Sequence, residues 1–319
     1  MKLFIKLLVT ICILGALKPE PIFAAAENKL GIHILETEEL GEVSKLFPDG
    51  GYITVPVRLD QLEASKWQKF FDESDKFRFI PIIRFATSHN GKYWERPTKR
   101  DIVNFADFFS KLDWHRQELI VIAFNEPNHA PEWGGKVDPD NYGQSLTFLV
   151  NWFATEPKKY LVLPAALDAA ASNTDTTMSS NLFLDKLLSK FPATINSLSG
   201  WNSHAYPNPG FTGRPVDYHK MSVRSYQFEL ETIKKRIGKD LSVYITETGW
   251  DNTKKNDSLI AGYFKFAYEN IWYPDRKVAA VTPFLFNAQT MPFSAFSLLD
   301  DNEKPTMVYE MIQKLGKEL

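Results

Sequence analysis

Leu119-Ile120-Val121-Ile122-Ala123-Phe124-Asn125-Glu126-Pro127-Asn128 is an apolar run that stops abruptly at an amide, a carboxylate and a proline. Its β-branched residues and shortness predict a strand buried on both faces, the state of strands in a parallel sheet covered by helices. Ser242-Val243-Tyr244-Ile245-Thr246-Glu247-Thr248-Gly249-Trp250 closes the same way, on a carboxylate beside an aromatic. Six further runs of this type complete the series. Leu30 to Leu35, Tyr52 to Val57 and Phe79 to Ile83 come before the first, Tyr160 to Leu163 and Leu198 to His204 between the two, and Ala279 to Phe286 after the second. Helical spacing fills the gaps, as in Asp60 to Phe71, where Leu62, Trp67, Phe70 and Phe71 share a face, and in Tyr142 to Phe153, Leu182 to Phe191, His219 to Ile237 and Leu259 to Ile271. Eight strands alternating with helices predict parallel pairing through helical crossovers. An open doubly wound sheet would show a glycine-rich turn after its first strand, and here that turn reads Leu35-Glu36-Thr37-Glu38. The expected fold is α/β, a single (β/α)8 TIM barrel spanning residues 27–319, with no linker or composition break inside it.

The ends are read separately. Lys2 and Lys6 precede an uncharged, mostly apolar run from Leu7 to Leu17, and Ala24 to Ala26 offers a cleavage site, so residues 1–26 are expected to be a signal peptide and the protein secreted, periplasmic or at the cell surface. A permanent N-terminal membrane anchor is the competing reading, disfavoured because the run is short for a bilayer. Cys12, the sole cysteine, lies in this run, so the mature chain has no thiol for a disulfide, a nucleophile or a metal. The net charge of −2, from 37 basic and 39 acidic residues, is spread without blocks, which excludes nucleic acid as an expected partner. Aromatic residues make up 14% of the chain, including eight Trp; core packing accounts for many of them, and stacking on the flat faces of sugars for others.

A closed barrel carries its chemistry at the C-terminal ends of its strands, and there Glu126 ends the fourth and Glu247 the seventh. Either glutamate alone would serve equally as a helix cap or an arginine partner. Together they form a pair that a barrel mouth brings face to face. Cleavage of a glycosidic bond uses such a pair, one carboxyl protonating the leaving oxygen while the other attacks or directs water.

From Asn125-Glu126-Pro127 on strand four, Ile245-Thr246-Glu247-Thr248-Gly249-Trp250 on strand seven, and the tail Phe296-Ser297-Leu298-Leu299-Asp300 with Lys304-Pro305-Thr306, the mature chain resembles clan A of the retaining (β/α)8 glycoside hydrolases over essentially its whole length. The resemblance does not fix a family within the clan. It implies that Glu126 is the acid/base, that Glu247 is the nucleophile with its carboxyl about 5 Å away, and that Glu126 titrates the higher of the two. It also implies that Asn125 bonds the sugar 2-hydroxyl. His204 and Tyr206, ending strand six, are expected to contact substrate or orient the nucleophile. Arg58 and Arg84, closing strands two and three, compete for the arginine that keeps the nucleophile ionised. Strand eight departs from the pattern, offering Phe284, Phe286 and Asn287 where many relatives present a Trp floor. Trp133 and Trp250, each close behind a carboxylate, are expected to stack on sugar, with Trp94 and Trp201 also near the rim; Trp67, Trp152 and Trp272 are expected in the core.

The six histidines (33, 89, 115, 129, 204, 219) are scattered, so no metal is expected, and a hydrolase of this type needs no cofactor. The expected partner is an oligo- or polysaccharide bound by a monomer. Three readings stay open: a retaining glycosidase, a transglycosylase on the same site, and a carbohydrate-binding barrel without turnover, the last disfavoured because both carboxylates are present.

Overall fold

The computed structural model describes residues 29–318, so the expected export segment, residues 1–26 with Cys12, lies outside the described residues. In chain order the elements are β1 Gly31–His33, α1 Leu40–Leu46, β2 Gly51–Arg58, α2 Ala64–Lys76, β3 Phe79–Ala86, α3 Lys99–Ser110, β4 Leu119–Ala123, α4 Pro139–Phe153, β5 Tyr160–Pro164, α5 Ser180–Lys190, α6 Pro192–Ser197, β6 Gly200–His204, α7 Ser225–Ile237, β7 Ser242–Glu247, α8 Asp257–Ala267, β8 Val278–Val281 and α9 Met307–Glu318. Strands β1 to β5 pair in sequence order, as do β6 to β8, and every pairing is parallel. Two parallel bridges, Asp168 with His204 and Leu30 with Val281, join these ladders at both seams and close the ring. The eight strands thus form the expected barrel, with helices outside.

Burial on both faces explains why the strands read as continuous apolar runs. On β4, Ile120 and Ile122 point with Ile82, Leu161, Leu163 and Tyr244 into an inner cluster, while Val121 and Ala123 join the layer between strands and helices. Gly200 shows how tightly the interior is filled, since a Cβ there would lie 2.7 Å from the Leu163 side chain. Helix α3, which the spacing did not reveal, starts at a capping box between Thr98 and Asp101 and buries Ile102, Phe105 and Phe109. No helix among the described residues is long and apolar enough to cross a membrane.

Several boundaries differ from expectation, each for a local reason. β8 ends at Val281 instead of Phe286, because Pro283 has no N–H to continue a ladder and only its carbonyl is used, accepting from His33 N at 3.0 Å. The helix after β6 begins at Ser225, not His219, since the Ser222 hydroxyl bonds the His219 carbonyl and accepts from Arg224 N, competing with helical pairing. α2 starts at Ala64 after a 3-10 turn, Leu59–Gln61.

Candidate active site

At the end of β4 the backbone leaves the sheet sharply. Phe124 (φ 74°) and Glu126 (φ 27°) are both non-glycine residues at positive φ, a conformation that must be held by its surroundings and that collects at functional sites. Asn125 and Glu126 thereby border a cavity of about 660 Å³ at the barrel mouth, which Arg84, Tyr206 and Glu247 also line.

Strands β1, β3 and β6 converge on Glu247. From β3, Arg84 Nη1 donates to Glu247 Oε1 at 2.5 Å and to Asn125 Oδ1 at 3.0 Å. Just beyond β6, the Tyr206 hydroxyl donates to Glu247 Oε2 at 3.0 Å. On β6, His204 Nδ1 lies 2.7 Å from Glu126 Oε1 and 3.6 Å from Glu247 Oε2, so one ring nitrogen links the two carboxyls. The nearest oxygens of the pair are therefore no further apart than the sum of those distances. On β1, His33 Nδ1 donates to the Thr246 carbonyl at 3.3 Å and sits 3.7 Å from Glu247.

The charges sort themselves by these contacts. Burial pushes the Glu247 carboxyl up, but the charges of His204 and Arg84 and the Tyr206 hydroxyl outweigh it and hold Glu247 well below the usual carboxylate range. Burial pushes the His204 imidazole down, yet Glu247 and the bond to Glu126 prevail and raise it, favouring the imidazolium. Burial, with Arg84 nearby, drives His33 down to about 3, so His33 is neutral and its approach to Glu247 is no ion pair. Burial and the two carboxylates push the Tyr206 phenol well above its ordinary value, which keeps it a donor.

A second group stands on the β4 and β5 loops. His129 Nε2 and Asp168 Oδ2 are 2.9 Å apart, a bond that raises the imidazole; burial opposes the ionised Asp168 carboxyl, but the same bond holds it low. Glu132 accepts from Asn125 Nδ2 at 3.1 Å and is raised, first by burial and then by Glu126 and Glu247. Beside Glu247, Tyr206 joins Phe211, Phe284, Phe293 and Phe296 in an aromatic wall of rings in edge-to-face contact. Toward β2 and β3 lies half-buried Trp94, with the Arg58 guanidinium 5.8 Å from its ring.

Of the residues singled out by sequence, Asn125, Glu126, Glu247, His204, Tyr206 and Arg84 come together. Between the two arginines the register decides: Pro56 pairs with Arg84 and Arg58 with Ala86, which carries Arg58 one inward position beyond the mouth. Arg58 pairs there with Asp60 at 2.6 Å and does not reach Glu247. Three expectations need correction. Trp133 borders the cavity but is only 1% exposed, wedged edge-on against Phe124 and Tyr142 with its N–H on Asn141. Trp250 is 2% exposed and outside the cavity, packed on Tyr263 and Phe264 with its N–H on the Gly213 carbonyl. Trp133 buries against α4, which offers both an apolar face and the Asn141 acceptor, whereas Trp250 packs on α8 and finds its acceptor in the loop after β6. Asn287 also lies outside the cavity, bonded to Gln289, and Phe284 is the residue from the β8 end that enters it.

Sequence reasoning missed Glu132, His129, Asp168 and the phenylalanine wall. Asn128-His129-Ala130-Pro131-Glu132, a polar stretch directly behind a rim carboxylate, was the available signal for the first two. Among the described residues no group of three or more His, Cys, Asp or Glu side chains could hold a metal.

Solved structures with this fold include a family 39 glycoside hydrolase from Bacteroides cellulosilyticus, 17% identical, TM-score 0.61, the match covering 90% of this chain and 63% of that one. A GH39 beta-xylosidase from Caulobacter crescentus is 13% identical at TM-score 0.61, with 92% and 72% covered. A glucosidase from Croceicoccus marinus is 10% identical at TM-score 0.65, with 90% and 65% covered. The chain thus spans about two thirds of the length of these structures. No protein-family model and no curated protein matches it. At such identities the likeness establishes the fold, a (β/α)8 barrel.

Proposed function

We propose that the protein is a retaining glycoside hydrolase that cleaves O-glycosidic bonds of an oligo- or polysaccharide by double displacement. Glu247 attacks the anomeric carbon while Glu126 protonates the leaving oxygen, and Glu126 then deprotonates the water that releases the glycosyl group. The observation that carries this reading is the asymmetry of the pair. Glu247 has both carboxyl oxygens tied by donors and is held ionised, whereas Glu126 is bonded through one oxygen and is the more open to the cavity, its side chain 22% exposed against 11%. A nucleophile needs the first environment and an acid/base the second. Their linkage through one imidazole nitrogen also favours retention, since an inverting pair stands roughly 6.5 to 9.5 Å apart.

The test is a panel of aryl glycosides and polysaccharides with native protein and Glu247→Gln, following the first-formed anomer by NMR. Retained configuration with native protein and loss of turnover in the variant are expected. An inverted product, or turnover undiminished in Glu247→Gln, overturns the mechanism; saccharide binding without any turnover would leave only a carbohydrate-binding barrel.

A further inference from the structure

Close beside Glu126 and Glu247 the cavity holds a further carboxylate, Glu132, that double displacement does not use. Glu132, at the end of the turn Ala130–Glu132, accepts from Asn125 Nδ2 through Oε2 at 3.1 Å. Among the described residues this amide is the only hydrogen-bond partner of its side chain. The other end of the amide, Asn125 Oδ1, accepts from Arg84 Nη1 at 3.0 Å, but that nitrogen bonds Glu247 more closely, at 2.5 Å. A guanidinium offers only donors and an ionised carboxylate only acceptors. Asn125 is therefore pinned in one of its two amide orientations, because turning it over would set N–H against donor and carbonyl against carboxylate. Asn125 lines the cavity, and among the described residues only one N–H of its amide is engaged. Placing a partly buried carboxylate beside Glu126 and Glu247 works against folding, which is the pattern of a residue kept for its role.

We propose that Glu132 is a positioning residue that holds one N–H of Asn125, so that the other meets the 2-hydroxyl of the sugar undergoing attack and favours substrates that carry this hydroxyl. The inference rests on the glycosidase reading above. Arg84 alone is a weak anchor, since the contact it shares with Asn125 is the longer of its two. Bonds to the 2-hydroxyl strengthen as the transition state forms, so a loosened amide should lower kcat more than it raises KM.

The experiment measures kcat, KM and melting temperature for native protein, Glu132→Ala and Glu132→Gln on the aryl glycoside that is cleaved best and on its 2-deoxy counterpart. On the hydroxylated substrate Glu132→Ala should lower kcat about 10- to 100-fold, the worth of one charged hydrogen bond. On the 2-deoxy substrate the same variant should change kcat by less than about threefold, because the contact it supports is already gone. Glu132→Gln, whose carbonyl can accept the same N–H, should recover most of the rate. Equal losses on both substrates, or no loss on the hydroxylated one, overturn the positioning role while leaving the glycosidase reading intact. Native protein inert toward every glycoside overturns both.

Discussion

The two ends of the barrel interior obey different rules. Deeper in the interior Ile82, Ile120, Leu161, Leu163 and Tyr244 fill the space with apolar contact. Toward the C-terminal ends the inward positions become Thr54, Thr246, Thr282, His33, Arg84 and His204, several joined to one another, as Thr54 is to Thr282 at 2.8 Å and Thr246 to Asn202 at 2.6 Å. One end gains stability from close packing, and the other gathers charges that favour a reaction more than a fold. The division of labour makes separable predictions, since a change at one end should leave the other property largely alone.

The largest effect is expected at the charged end. Glu247→Gln should lower kcat by about ten-thousand-fold or more, as loss of a nucleophile does. Glutamine keeps the shape but not the charge that His204 and Arg84 favour, so some stability near neutral pH should be lost with it, far less than the loss in rate. A variant that unfolds while retaining its specific rate would erase the contrast between the two ends.

At the packed end the signs exchange. Leu163→Ala, opening a void beside Gly200 and Tyr244, should cost about 2 to 5 kcal/mol in denaturant unfolding. Trp250→Ala should behave alike, and neither should shift the pH dependence of kcat/KM. A changed pH profile in Leu163→Ala would mean that the apolar layers tune the carboxyls as well.

Arg84→Met tests the boundary between the ends, with an expected loss of about 100-fold in kcat/KM. Removing the guanidinium removes one cause of the low Glu247 titration, so the acid limb of kcat/KM should move to higher pH. Stability follows by linkage. Because Glu247 titrates lower when folded, its contribution is present above the ordinary carboxylate range and is lost as pH falls through the folded value. His204 titrates higher when folded, so its contribution is present below the ordinary imidazole value and is lost as pH rises through the folded one. Urea melts of native protein and Arg84→Met across pH read both limbs; an acid limb that stays put would remove Arg84 from the electrostatics of Glu247.

The packed end was legible in sequence almost residue by residue, because burial on both faces writes apolar runs that only a covered parallel sheet explains. At the charged end Glu126 and Glu247 were legible because each ends such a run. The choice of Arg84 over Arg58 was not, since it depends on the register between β2 and β3, which places two similar arginines at different heights. Trp133 and Trp250 misled for a related reason: proximity in sequence to a carboxylate says nothing about which side of the loop an indole takes, and a helix face won both, with acceptors on Asn141 and on the loop carbonyl of Gly213. Asp168 left no trace, because it lies past the end of β5 and gains its meaning only from His129 on the neighbouring β4 loop.

The smallest expected effect sharpens where the site ends. Trp94 is the tryptophan with half-exposed surface on the cavity, set toward β2 and β3 away from the phenylalanine wall, with Arg58 close to its ring and His89 against its edge at 5.0 Å. An indole in that position can bury the apolar face of a sugar beyond the one undergoing attack, and arginine beside it keeps the platform in place. Trp94→Ala should therefore weaken binding of a longer oligosaccharide by about 1 kcal/mol, roughly fivefold, since ring contacts of this kind are worth about 0.5 to 1.5 kcal/mol. Hydrolysis of a monosaccharide aryl glycoside, which does not reach so far, should be unchanged, as should the melting temperature to within a few degrees. Calorimetric titration of Trp94→Ala in the Glu247→Gln background, with oligosaccharides of increasing length, separates the cases: a loss that appears only with the longer ligands assigns Trp94 to the cleft, and a loss independent of length, or none, removes it.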